Sequence, residues 1–187
     1  MTEMRTQPLV QLQRDYLDDS TAGMPIGGLI AWGALALISW QLGDAMPAWV
    51  AFTAAAAPVP LSIVIDKLRG AKGLSTQSNK NPLTQLFMQF IFVIALIIPF
   101  VIFAAQAAQS LELLVLGLAI LAGMIWVPHG WCANDRAGMI HFIMRAALCY
   151  AAYLFAPDAI KTAAIAGAAA LTYVYAIWAM KKPGDTL

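Results

Sequence analysis

The chain has 187 residues, of which 61% are hydrophobic and only 11% are charged, with a formal net charge of +1. A soluble domain carries about 25% charged residues, so this composition excludes an ordinary water-facing shell. No basic stripe or aromatic platform indicates a nucleic-acid partner. The apolar residues form continuous blocks of the length that a bilayer-spanning helix needs, about 20 residues. They do not alternate as barrel strands would, so we predict an all-α integral membrane bundle.

Residues 1–22 are predicted to form a cytoplasmic, N-terminal amphipathic helix, with Leu9, Leu12 and Tyr16 on its apolar face. This helix lies either on the membrane surface or as a cap on the bundle. The segment is polar and charged, whereas an export signal has a basic start and an apolar core, so we expect no cleavable signal.

Six transmembrane helices are predicted between residues 23 and 182, followed by a cytoplasmic tail at 183–187. Pro58 and Pro60 are expected to kink the second span, and Pro128-His129-Gly130 is expected to end the fourth. The spans cover 24–42, 47–65, 83–105, 111–127, 138–155 and 157–180.

The Lys and Arg residues predict the orientation, because cytoplasmic loops hold the excess of these residues. Nine of the eleven fall in the two terminal segments and in the connections after the second and fourth spans. Only Lys161 falls on the opposite side, and Arg145 lies within a span. Both chain ends are therefore predicted in the cytoplasm, which requires an even number of spans.

Small residues in the first span predict close helix packing. Gly23 and Gly27 have the spacing that lets two helix backbones approach each other. Packing within the chain is favoured over a dimer face, although a homo-oligomer is left open. The two halves show no convincing similarity to each other, so an inverted repeat of three plus three helices is not favoured.

Ionisable side chains within a span are costly and mark candidate sites. Arg145 lies about 10 Å inside the fifth span, and His141 precedes it by one turn on the same face. Gln85 and Gln89 repeat this spacing on the third span, and Asp66 ends the second span at the same surface. These residues predict a cytoplasmic-side polar pocket that binds or passes a small polar or anionic molecule or a lipid headgroup.

Two other interpretations remain open. In the first, Arg145 reaches the headgroups or pairs with Asp66 or Asp135 and stabilises the bundle. The protein would then be a structural or partner-binding membrane subunit without a ligand.

In the second, the protein is an intramembrane enzyme, zinc-dependent or based on a cysteine–histidine pair. Imidazole, thiolate and carboxylate groups all bind zinc, but the sequence has no HExxH or paired CxxC pattern. Cys132 and Cys149 give no disulfide framework, and we expect both to be reduced. The candidate ligands for zinc are His129, Cys132, Asp135 and His141.

Two short segments carry a resemblance to a known family. Asn79-Lys80-Asn81-Pro82-Leu83 precedes the third span, and Pro128-His129-Gly130-Trp131 follows the fourth. They resemble a family of small bacterial multi-pass membrane proteins of unknown function, in which the fourth span similarly ends in a Pro-x-x-Trp element. The resemblance covers roughly residues 10–155 and implies a bacterial inner-membrane protein. It implies no activity and no catalytic residues.

Overall fold

The structure is a computed structural model that describes residues 7–70 and 80–186. Every regular element within these ranges is helical, which confirms the predicted all-α class for the described residues. Two short 3-10 turns, Gly43–Ala45 and Asp158–Ile160, lie at the end opposite α1. The helices are α1 (Leu9–Asp18), α2 (Met24–Leu42), α3 (Ala48–Ala56), α4 (Pro58–Leu68), α5 (Pro82–Ala107), α6 (Leu111–Met124), α7 (Trp126–Cys132), α8 (Ala137–Phe155) and α9 (Lys161–Ala179).

Within residues 7–70 and 80–186, five helical segments are long and apolar enough to cross a membrane, if α6 and α7 count as one segment. The bent pair of α3 and α4 makes a sixth if it counts as one span. The predicted span over residues 24–42 coincides with α2.

The predicted kink in the second apolar segment is confirmed. Helices α3 and α4 meet at an angle of 40°. Pro58 and Pro60 have no N–H to donate to the carbonyls four residues earlier, on Ala54 and Ala56. Helix α3 ends at Ala56, where this hydrogen bonding fails.

The expected helix end at Pro128-His129-Gly130 is wrong. The chain is helical through these residues as far as Cys132. The break lies earlier, at Ile125, between α6 and α7. A proline ring clashes with the carbonyl four residues before it, so Pro128 interrupts the helix after Met124 and lets it continue beyond the proline.

Helix α1 caps one end of the bundle, which we call the α1 end. Gln13 Nε2 donates to the Trp131 carbonyl at 3.0 Å, and Asn81 Nδ2 donates to the Leu12 carbonyl at 2.9 Å. Leu12 and Tyr16 are buried, whereas Leu9, the first residue of the helix, is 49% exposed.

The two terminal segments meet at the α1 end. The Gly184 N–H donates to Asp18 Oδ1 at 2.9 Å. The described stretches at both ends of the chain therefore lie at the same end of the bundle.

Glycines on α2 allow close contact with α4. A Cβ atom on Gly23 would lie 2.8 Å from the Ser62 carbonyl oxygen, and one on Gly27 would lie 2.9 Å from the Pro58 carbonyl oxygen. The predicted packing of these glycines within the chain is confirmed. Helix α2 packs against α4 on this face and against α9 on another.

Candidate functional site

A fully buried arginine lies at the centre of the bundle. Arg145 on α8 has no exposed surface. Its guanidinium carbon lies 4.8 Å from the ring centroid of Trp32 on α2 and 4.8 Å from that of Tyr173 on α9. Within the described ranges, none of its three guanidinium nitrogens has a hydrogen-bond partner. An arginine keeps its positive charge in proteins, so this charge is held between two aromatic faces.

The two rings compensate only part of the cost of burying this charge. A desolvated cation–π contact contributes about 2 kcal/mol, so two contacts contribute about 4 kcal/mol. Burying an ion costs several kcal/mol even after the surroundings relax. The rings also offer no acceptor to the five N–H donors of the guanidinium group. The geometry therefore leaves Arg145 able to bind an acceptor-rich group.

Two glycines make room for this arrangement. A Cβ atom on Gly28 would lie 2.3 Å from the Tyr173 ring, so only glycine lets this ring lie against α2. A Cβ atom on Gly123 would lie 2.8 Å from Arg145 Cδ. Because Gly28 and Trp32 are four residues apart, they share one face of α2. This face is the wall of the site.

His141 lies one turn before Arg145 on α8 and also has no exposed surface. Its ring centroid lies 5.3 Å from those of Trp126 and Tyr173. Both of its ring nitrogens lack a partner among the described residues. His141 and Arg145 therefore lie on one face of α8, as their spacing predicted, and this face is buried.

Unpartnered polar atoms are concentrated around this arginine. Among the described residues, eight buried side-chain nitrogen or oxygen atoms have no hydrogen-bond partner, and seven of them belong to this cluster. Folded proteins leave only a few such atoms, and each requires an explanation. Nearly all of the seven are N–H donors. We call the cluster the Arg145 centre: Trp32, Trp126, His141, Arg145 and Tyr173.

A basic cavity of about 70 Å³ lies at the α1 end. Arg69, Lys181 and Lys182 line it, together with Trp126 and His129. The Trp126 ring that lines this cavity also contacts the rings of the Arg145 centre, with its centroid 6.1 Å from that of Tyr173. Trp126 therefore belongs both to the lining of the basic cavity and to the Arg145 centre.

The ion pair between Arg145 and Asp66, one of the alternatives that the sequence left open, is absent among the described residues. Asp66 is buried, and its Oδ1 would lie 3.0 Å from a Cβ atom on Gly23. Arg145 instead contacts Trp32. Trp32 is nine residues after Gly23, which corresponds to about 13 Å along the helix at 1.5 Å per residue. Asp66 lies near the end of α4, whereas Arg145 lies near the middle of α8.

Asp135 is also not the partner of Arg145. Its Oδ1 accepts from the Ala137 N–H at 2.9 Å, and its Oδ2 accepts from the Lys181 N–H at 2.8 Å. This carboxylate therefore connects the start of α8 to the chain that follows α9.

The structure does not bring the two predicted glutamines to Arg145. Gln85 and Gln89 are exposed on α5, whereas Arg145 is fully buried. Helix α5 packs against α1, α6 and α7. The spacing of the glutamines predicted their depth, but the rotation of α5 turns them outward.

The four residues proposed for zinc do not form one cluster. In the ranges 7–70 and 80–186, no three His, Cys, Asp or Glu residues lie close enough to hold a metal ion. Cys132 is buried and free, and its Sγ donates to the Leu83 carbonyl at 3.6 Å. Cys149 is also free and buried. The zinc site stays a prediction that the structure does not test.

His129 contacts helix α1 instead. Its Nδ1 lies 2.9 Å from the Tyr16 hydroxyl oxygen. Burial, followed by the nearby Cys132, raises the pKa of the Tyr16 hydroxyl, so this hydroxyl stays protonated and can donate to Nδ1. The His129 ring also packs against Trp126 and Phe87.

Three aromatic residues of the site were not predicted as site residues. All three side chains are buried: Trp32 is 0% exposed, Trp126 is 3% exposed and Tyr173 is 2% exposed. The spacing of Gly28 and Trp32 was the one signal in the sequence that could have indicated the site. The other tryptophans near span ends are 55–84% exposed: Trp40, Trp49, Trp131 and Trp178.

Comparison with known proteins identifies the family of the chain. The sequence model of a family of unknown function, DUF7010, matches residues 9–182. No match was found among curated proteins or among solved structures. The family match covers nearly the whole described bundle, and it agrees with the expected resemblance to an uncharacterised family. The chain therefore belongs to the family of unknown function DUF7010.

Proposed function

We propose that this protein spans a bacterial inner membrane with six helices and has its α1 end in the cytoplasm. The five apolar segments and the bent pair of α3 and α4 support this number of spans. The contact between Gly184 and Asp18 supports an even number, because it brings both terminal segments to one end. Lys161 lies at the opposite end, and the excess of basic residues at the α1 end supports the orientation. These residues are Arg14, Lys67, Arg69, Lys80, Arg136, Lys181 and Lys182.

Within this membrane protein, the function that the geometry supports best is binding, and passage, of a small polar or anionic molecule. The observation that carries this proposal is Arg145, a fully buried cation whose guanidinium nitrogens have no partner among the described residues. A carboxylate or phosphate group offers the acceptors that these donors need, and hydrogen bonds between charged groups are the strong ones.

The basic cavity supports a route for such a ligand. Arg69, Lys181 and Lys182 raise the local concentration of anions at its mouth. A volume of about 70 Å³ accommodates a group the size of a carboxylate or phosphate. Trp126 lines this cavity and contacts His141 and Tyr173, so we expect an anion that passes from the cavity to the guanidinium to move past the Trp126 indole.

The proposal is tested by measuring how anions change the thermal stability of the purified protein in a neutral detergent. Sodium acetate, sulfate and phosphate are titrated at constant ionic strength, and the melting midpoint is measured. At least one anion is expected to raise the midpoint saturably, because binding at 100 times Kd stabilises the folded state by about 2.7 kcal/mol.

Variants assign this effect to the site. Arg145→Met is expected to abolish the shift, and Arg145→Lys, which keeps the charge, is expected to retain part of it. Lys161→Met removes a cation at the opposite end of the bundle and is the matched control. If no anion produces a saturable shift, or if Arg145→Met responds like the unchanged protein, the proposal is wrong.

A further inference from the structure

A second cavity, the apolar slot, opens beside the basic cavity. It has a volume of about 270 Å³ and lies between α1, α2, α4, α5 and the junction of α6 with α7. Helix α4 packs on α2 and α3, while α5 packs on α1, α6 and α7. In the part of the chain that the structure describes, a gap between α4 and α5 therefore remains beneath α1. The apolar residues of the slot include Met24, Val59, Phe87, Met88, Ile91 and Ile125.

The slot is open to the outside of the bundle. Val59 on α4 and Met88 on α5 both line it, and each is 54% exposed. These two side chains form its rim on the side that faces away from the bundle axis. Under the proposed topology, this rim faces the hydrocarbon of the bilayer.

The slot and the basic cavity share one wall. Thr21, Trp126 and His129 line both cavities. A molecule placed across this wall would have one part among basic side chains and another part among apolar ones.

The charges of the two cavities differ in sign. Among the described residues, the lining of the basic cavity includes Arg69, Lys181 and Lys182 and no carboxylate residue. The described lining of the slot includes the carboxylate residue Asp19 and no Lys or Arg. An anionic head is therefore attracted to the basic cavity and repelled from the slot, which fixes the direction in which an amphiphile would bind.

We infer that the ligand of this protein is an anionic amphiphile, with its head in the basic cavity and one alkyl chain in the apolar slot. This inference rests on the proposed anion-binding function and names the substrate class for it. The slot, with a volume of about 270 Å³ and a largely apolar lining, suits an alkyl chain. The rim between Val59 and Met88 gives such a chain access from the side.

The experiment compares dodecyl phosphate with inorganic phosphate on the full-length protein in dodecyl maltoside micelles. The detergent carries the same chain on a neutral head, so the titration measures what the anionic head adds. Dodecyl phosphate is expected to bind at least tenfold more tightly than inorganic phosphate, measured as apparent Kd from the melting midpoint.

A matched pair of variants separates binding in the slot from partitioning into the micelle. Val59→Trp fills the rim and is expected to weaken dodecyl phosphate binding at least tenfold, without changing the response to inorganic phosphate. The control is Ile63→Trp. Ile63 lies one turn after Val59 on α4, is 55% exposed and does not line the slot. This control is expected to bind both probes like the unchanged protein.

The outcomes distinguish the two proposals. If inorganic phosphate stabilises the protein but Val59→Trp and Ile63→Trp bind dodecyl phosphate equally well, the amphiphile inference is wrong and the anion-binding function stands. If neither probe shifts the midpoint, the anion-binding function fails and the inference fails with it.

Discussion

Replacing Arg145 with methionine is expected to leave the protein at least as stable as before when no binding anion is added. This result would be unusual for a fully buried residue at the centre of a bundle. The expectation follows because Arg145 has no ion pair, and its guanidinium nitrogens have no hydrogen-bond partner, among the described residues.

The expected change in the free energy of unfolding follows from the contacts that the substitution removes. Arg145→Met removes two cation–π contacts with Trp32 and Tyr173, which contribute about 4 kcal/mol together. The shorter side chain leaves a small void, which costs about 1 kcal/mol. The substitution also relieves the burial of an ion, which costs several kcal/mol. The sum is close to zero or favours methionine.

A paired arginine would give a different result. Removing one partner of a buried ion pair costs about 3–5 kcal/mol, because the other charge is left buried and unpaired. The free energy of unfolding is measured by titrating mixed micelles with a denaturing detergent in low-salt buffer. Arg136→Met, at an exposed position just before α8, is the control and should change it by less than about 0.5 kcal/mol. A loss of about 3 kcal/mol or more for Arg145→Met would refute the reasoning.

Two further predictions concern the wall of the site and the topology. Gly28→Ala is expected to destabilise the protein by about 1–3 kcal/mol, because the new Cβ atom would lie 2.3 Å from the Tyr173 ring. Gly33→Ala on the same helix has nothing within 4 Å and is expected to be neutral or stabilising by up to about 1 kcal/mol; equal unfolding midpoints for the two variants would contradict this account. Impermeant labels on tags fused to the two chain ends are expected to react from the same side of the membrane, and reaction from opposite sides would rule out six spans.

The helical class and the approximate order of the apolar segments could be predicted from the sequence because they depend on local properties, whereas the expected helix end at Pro128 was wrong. Apolar blocks between polar or glycine-rich connections marked α2 at residues 24–42. The shared face of His141 and Arg145 followed from helix geometry alone, because residues four apart lie one above the other. The kink at Pro58 and Pro60 followed from the missing N–H groups.

The neighbours of Arg145 could not be predicted in this way. A helix that is apolar on nearly all sides has little polar face to indicate its rotation. Most of α5 is of this kind, and only the structure shows that Gln85 and Gln89 point outward. Close packing of such helices depends on which small residues meet which large ones. Gly28 and Gly123 decide this packing here, since they admit the Tyr173 ring and the Arg145 side chain.

The sequence by itself therefore determined an all-α chain of apolar helices with a buried cation and histidine on one helix. Only the tertiary structure decided that this cation lies between Trp32 and Tyr173, with no hydrogen-bond partner among the residues that the structure describes. The physical reason is that spacing along a helix is set by its own backbone, whereas the face that a helix turns to its neighbours is set by contacts between residues far apart in the chain.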